Sequence, residues 1–467
     1  MRKLRFAALS LALVTVLALS SCAFCASAAE TTATGAMSGI VSDPIDTMTK
    51  DGIFIGSGVP SSHGQNQTRL VHVSSGSYLG VLTGEETSED DVGVTYEFSI
   101  IRVNPNGEVE LLYTGKTHNN SSTITMMADK DENVWFYTSW ATQSGLFVYN
   151  VWEYEVATGE ITQYSSAQKV KGGGGKPVSV IDPVAGKIYA VQGGKFYFSW
   201  CAFDIATKTW GKSQSQKTDA MYAYTFGYGD GKGGFYIVNE RADANDLIFC
   251  DIDGVRVSDA MKQYRSRKID ADYMWDQGNL IYVPDANEKD WDPRVITPVV
   301  YDVANGVYPN WSNAYNDLIF DEANGLMYVA CCYADNGEPG IKNHIFTIDM
   351  NDDRKVINDQ VLPYLCGDDF EYFHRFYMDA EGNLWLILTN GHDNYMEIWQ
   401  GTGENQTDFK LVYNERLPGN ISDGDALIAA TSRGGSIPSD TAHVIIEFRG
   451  IWYYMTIDFA ALRERLA

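Results

Sequence analysis

The chain has 467 residues, is 45% hydrophobic and 13% aromatic, and carries a formal charge of −26. That balance argues against nucleic acid or an anionic lipid surface as a direct partner, because both select a basic footprint. Its 7 cysteines are too few for a disulfide framework in so long a chain, and beyond the leader none forms a CxxC pair of the kind that holds zinc.

The N-terminus gives an address. Arg2, Lys3 and Arg5 precede an apolar stretch from Phe6 to Leu19 that is short for a membrane span, so residues 1–21 are expected to be an export signal. Leu19-Ser20-Ser21-Cys22 resembles a bacterial lipobox, which implies lipidation of Cys22 and a membrane contact through that lipid alone. Cleavage after Ala28, at Ala26-Ser27-Ala28, is the alternative and implies plain secretion. Residues 22–50 are mostly small and polar and are expected to be a flexible tether. One repeat domain is expected over 51–467, since no composition break divides it.

Alternation and turn signals define eight strand groups. They run from Arg69 to Tyr113, Thr123 to Tyr164, Val178 to Trp210, Tyr222 to Val257, Tyr273 to Tyr308, Leu318 to Val361, Phe373 to Leu417 and Ala426 to Ile457. A recurring phrase organises them: an acidic tight turn, then an apolar run opened by an aromatic. Asp379-Ala380-Glu381-Gly382-Asn383-Leu384-Trp385 is the clearest copy. The key aromatics Trp135, Tyr189, Tyr236, Tyr282, Tyr328 and Trp385 recur every 46 to 57 residues. Such a period, built from short strands, predicts an all-β fold: a single β-propeller of eight blades, or seven if the first or last group forms no blade of its own. The last group has three clear strands, so a strand from the N-terminus is expected to complete it, with Gly52-Ile53-Phe54-Ile55 as the available segment. Phe459 to Leu466 reads as a short terminal helix capped by Asp458.

Asp and Asn bond the local backbone, and Gly accepts positive φ, so the repeated Asp-x-x-Gly phrase is first of all turn chemistry. Calcium is the sharper reading at Asp129–Asn133 and Asp251–Gly254, but neither completes a twelve-residue ligand loop. No other cofactor is expected. Gly229-Asp230-Gly231-Lys232-Gly233-Gly234 matches GxGxxG, yet a strand follows where a dinucleotide site needs a helix. In Cys331-Cys332, neighbouring strand side chains point to opposite faces, which favours two separate thiols over an adjacent disulfide.

The Asp379–Trp385 phrase resembles blades of bacterial propellers of the NHL, streptogramin-lyase and sensor-kinase kinds. Their functions differ widely, so the resemblance implies a fold and no single activity. Ala202–Trp210 is similar to the docking repeat of quinoprotein dehydrogenases, with Lys208 where that repeat has Gly and Trp reached two positions early.

In a propeller, the connections between second and third strands gather on the rim opposite the Asp turns. Here they carry Trp140, Glu240, Arg241, Asp285, Trp291, Tyr333, His392 and Asp393. Aromatic platforms beside carboxylates and a guanidinium suit recognition of an extracellular carbohydrate or protein, through stacking and directed hydrogen bonds. The alternatives are a glycan-active enzyme, hydrolase or lyase, and a scaffold in envelope assembly. For each residue taken singly, the plainer reading is a solvated loop position. His72 and His443 fall inside strand patterns and read as packing residues.

Overall fold

The computed structural model describes residues 39–47, 49–50, 53–54, 70–90, 93–118, 124–141, 146–166, 170–171, 174–221, 223–240, 278–283, 294–296, 314–333, 341–352, 355–366, 374–390, 395–417, 426–432, 439–448 and 451–467. They form mainly antiparallel sheets, in most of which the strands follow chain order from inside to outside. One sheet serves as the pattern: His374–Met378, Leu384–Asn390, Tyr395–Thr402 and Asp408–Arg416. Its second strand is an unbroken apolar run, Leu384-Trp385-Leu386-Ile387-Leu388, because both faces are buried against neighbours. Its outermost strand alternates instead, with Phe409 and Tyr413 buried between exposed positions. The gradient from solid to alternating hydrophobicity is what radial packing of sheets requires.

The first strands of the sheets pack against one another in a closed circuit. It passes through Leu70–Val73, Thr125–Ala128, Gly174–Asp182, Ala223–Gly229, Ala314–Asp321, His374–Met378 and Ala426–Thr431, then returns to Leu70–Val73. Such a ring of radial sheets around inner strands is a β-propeller. The expected fourth and fifth groups do not stand apart, however. Phe235–Glu240 pairs directly with Gly278–Val283, so both groups feed one sheet among the described residues. A single parallel register, Ile181 opposite Tyr228, further joins that sheet to the preceding one. Within Lys187–Asp204 the chain also folds back: Ile188 and Phe203 share one buried cluster, whereas a straight strand would hold them roughly 50 Å apart.

The closing strand differs from expectation. Ile45–Asp46 pairs with Ile451–Asp458, placing Ile45 opposite Tyr454, and Val41 bridges to Ile457. The backbone amides of Ser42 and Thr47 donate to Thr456 and Trp452 at 2.9 Å each. Ile53–Phe54 forms its own small hairpin with Thr49–Lys50. The ring unit therefore begins at Gly39, inside the stretch expected as tether. Ile40 and Val41 supply the buried side chains that hold this segment, against a local sequence of small and polar residues.

The Asp turns behave as their chemistry predicts. Asp129, Asp182, Asp230, Asp321 and Asp379 each join the first strand of a sheet to its second, so they share one face of the ring. Asp379 Oδ1 accepts from the Glu381 and Asn383 amides at 2.9 Å each, and its Oδ2 accepts from the Trp385 indole at 2.9 Å. Asp129 repeats this bond for bond with Asp131, Asn133 and Trp135. The phrase thus couples a turn to the aromatic that opens the next strand. The position that is Gly382, at φ 81°, is filled by Glu132 at φ 63° in the Asp129 copy. The helix Phe459–Leu466 is as expected, with the Asp458 side chain accepting from the Ala461 amide at 2.9 Å. Among the described residues no helix is long and apolar enough to cross a membrane.

Candidate functional site

Second strands run away from the Asp turns and end on the opposite face, at Ala141, Glu240, Tyr333 and Asn390. Three of the rim residues are thereby placed by backbone register: Trp140 opposite Val148, Glu240 opposite Gly278 and Tyr333 opposite Lys342. Each lies at, or one residue before, the end of its second strand. Arg241, Asp285, Trp291, His392 and Asp393 lie outside the described residues, as do Cys22 and Asp251–Gly254.

A buried charged group sits toward the same face. His374 and Arg375 open the inner strand His374–Met378, with His374 opposite Leu388, two positions before the end of its second strand. Asp317 comes from the neighbouring inner strand, Ala314–Asp321. None of the three is more than 3% exposed. Asp317 Oδ2 accepts from the Phe376 amide at 2.7 Å and its Oδ1 from its neighbour Leu318 at 2.9 Å, so this carboxylate ties one inner strand to the next. Arg375 donates through Nη1 to the His374 carbonyl at 2.7 Å.

The electrostatics are strongly displaced. Burial pushes the Asp317 carboxyl up to about 7, against the pull of the Arg375 charge and the two amides. Burial likewise lowers Arg375 to about 10, with Asp317 resisting. His374 is driven down to about 3 by burial first and by Arg375 second, so it is a neutral imidazole at any ordinary pH. Its two ring nitrogens are both buried and, among the described residues, have no hydrogen-bond partner.

Stitching two sheets together explains Asp317, and neutralising that carboxylate explains Arg375. Neither explains His374. A buried polar atom without a partner costs about 1–3 kcal/mol, and clustered displaced titrations of this kind gather at functional sites. Neither the strand grouping nor the rim assignment singles out His374, Arg375 or Asp317. The available signal was an acid inside an apolar inner strand, in Asn316-Asp317-Leu318-Ile319-Phe320. At Asp129 the carboxylate is spent on turn amides and the indole, and among the described residues no group of three or more His, Cys, Asp or Glu is arranged to hold a metal ion.

No family model and no curated protein matches the chain. Solved structures similar to it include the polysaccharide lyase Uly1, at 11% identity over 88% of this chain and 94% of that one, with a TM-score of 0.47. The propeller domain of the Trilobed protease from Pyrococcus furiosus is 10% identical over 86% of this chain and 94% of that one, with a TM-score of 0.41. The Dos1 propeller is 10% identical over 89% and 88%, also with a TM-score of 0.41.

Proposed function

We propose that this protein is an exported propeller, anchored through a lipid on Cys22, that recognises an extracellular carbohydrate or protein on the face where its second strands end. The observation that carries the reading is His374: a neutral, buried imidazole with two unused nitrogens, beside Arg375 and toward the rim that carries Trp140, Glu240 and Tyr333. A ligand hydroxyl that reached such an imidazole could both donate to it and accept from it, and aromatic residues at the strand ends would suit stacking. The test is a glycan array probed with the purified domain and with its Arg375→Gln variant. Binding to a defined glycan class that the variant loses supports the reading; no glycan or extracellular-protein binding above background contradicts it. Anchoring is tested separately, because Cys22→Ala should release the protein from the membrane fraction.

A second reading, a polysaccharide lyase, draws on the same residues. A guanidinium beside a neutral imidazole is a cation that can offset charge developing on an acidic sugar. Release of unsaturated sugar ends during the same screen would favour it over simple binding.

A further inference from the structure

The Leu70 sheet and the Ala426 sheet meet where the ring closes. Their contact has an apolar core in which Leu70, Leu79, Ile445 and Trp452 are all buried. Beside it two imidazoles lie face to face: His72 and His443, with ring centroids 3.6 Å apart and planes 13° from parallel. Each is tied to a shared hydroxyl relay. His72 Nδ1 lies 2.8 Å from Ser77 Oγ, Ser77 Oγ lies 2.9 Å from the Tyr454 hydroxyl, and that hydroxyl lies 2.5 Å from His443 Nδ1. Tyr454 also stands opposite Ile45, so the relay passes through the strand that the closing segment pairs with.

We propose that this stack is a proton-sensitive latch on the closing seam, which loosens as the medium turns mildly acidic. With both imidazoles neutral, the relay is complete: His72 Nδ1–H donates to Ser77, Ser77 to Tyr454, and Tyr454 to His443 Nδ1. Protonating His443 alone forces the relay to reverse. Protonating both places a donor at each end of two hydroxyls, and one buried hydroxyl proton is left without an acceptor. Two like charges at stacking distance add repulsion to that loss. The titratable groups acting on the pair are few. Glu132, from the Asp129 turn, favours the charged form of His72; it also bonds Ser74. His72 in turn opposes the charge on His443, and Tyr454 supplies the common hydroxyl.

Both imidazoles are held below their ordinary value, chiefly by burial, His443 at about 3. A lowered histidine stabilises the closed state fully above the ordinary value and progressively less as pH falls toward the folded one. With about 6.5 in an open seam, the closing equilibrium weakens roughly 30-fold between pH 8 and pH 5 through His443 alone.

The experiment is hydrogen exchange on the full chain at pH 7.5, 6 and 5, with exchange times corrected for the intrinsic rate. Protection of Ile40–Thr47 and Ile451–Asp458 is compared with that of Leu384–Asn390 in the same sample. Seam protection should fall by more than tenfold relative to that strand as pH drops, and His72→Gln/His443→Gln should abolish the difference. A pH-independent seam, or the same pH dependence in wild type and double variant, overturns the proposal. If the double variant does not fold, the half-buried His72→Gln alone must move the opening to lower pH, and an unmoved profile overturns it equally.

Discussion

Arg463, near the C-terminus, closes a 2.5 Å ion pair with Asp379, an inner-sheet turn residue whose side chain has no solvent exposure. The same guanidinium reaches Asp440 at 3.0 Å and Glu381 at 3.1 Å. The terminal helix thus spans the turn of the His374 sheet and the start of the second strand in the Ala426 sheet. Beneath it Phe459 stacks on Trp385 at 4.7 Å and on Tyr377 at 5.3 Å. The carboxylate that shapes a turn therefore also anchors the chain's end.

Two variants separate the parts of that anchor. Arg463→Gln removes charge-assisted hydrogen bonds from a carboxylate that keeps its turn amides, and should cost roughly 1.5–3 kcal/mol. Phe459→Ala empties a packed aromatic site and should cost about 3–5 kcal/mol. Denaturant unfolding that ranks Arg463→Gln above Phe459→Ala would mean that charge rather than packing holds the helix.

The repeated turn gives the second prediction. Asp129→Ala leaves two backbone amides and the Trp135 indole without their acceptor, and should destabilise by about 2–4 kcal/mol. Trp135→Phe removes the indole donor and part of a buried ring that packs on Tyr164 and Phe203 but leaves both turn amides bonded to Asp129, and should cost less. Equal losses would show that the aromatic, not the carboxylate, organises the turn.

Asp317 sets a pH dependence opposite in sign to that of the seam. Its folded value, about 7, lies above the ordinary carboxylate value, so the folded chain binds the extra proton between the two. Stability from this group is present at low pH and is lost as pH rises through about 7. The melting temperature of Asp317→Asn relative to wild type should therefore climb from pH 5 to pH 8. A flat difference would mean that Asp317 stays ionised throughout, as a plain partner of Arg375.

Turn chemistry was legible because it is local. Asp379 and Trp385 are six positions apart, and their hydrogen bond lies within one hairpin. Pairing between distant segments was not legible. Ile45–Asp46 closes the ring although Ile53–Phe54 has the stronger strand pattern, because buried partners at Ile40 and Val41 decide it. Phe235–Glu240 takes as its sheet partner Gly278–Val283, a strand that the repeat phrase ending at Tyr282 assigns to a separate group. At the site, the repeat brings Trp140, Glu240 and Tyr333 to the ends of second strands, although it assigns them to the connections and they lie in the strands themselves. The meeting of Asp317 with His374 and Arg375 depends on which inner strands adjoin, and composition carries no trace of that.

The most direct test of the account is His374→Leu, followed by both thermal unfolding and titration with the glycan selected on the array. Replacing an unpartnered imidazole by an apolar side chain removes two buried unpaired nitrogens, so stability should hold or rise by up to roughly 1–3 kcal/mol. Affinity should nevertheless fall at least tenfold, about 1.4 kcal/mol. Unchanged affinity together with a lowered melting temperature would make His374 a packing residue and remove the centre of the proposed site.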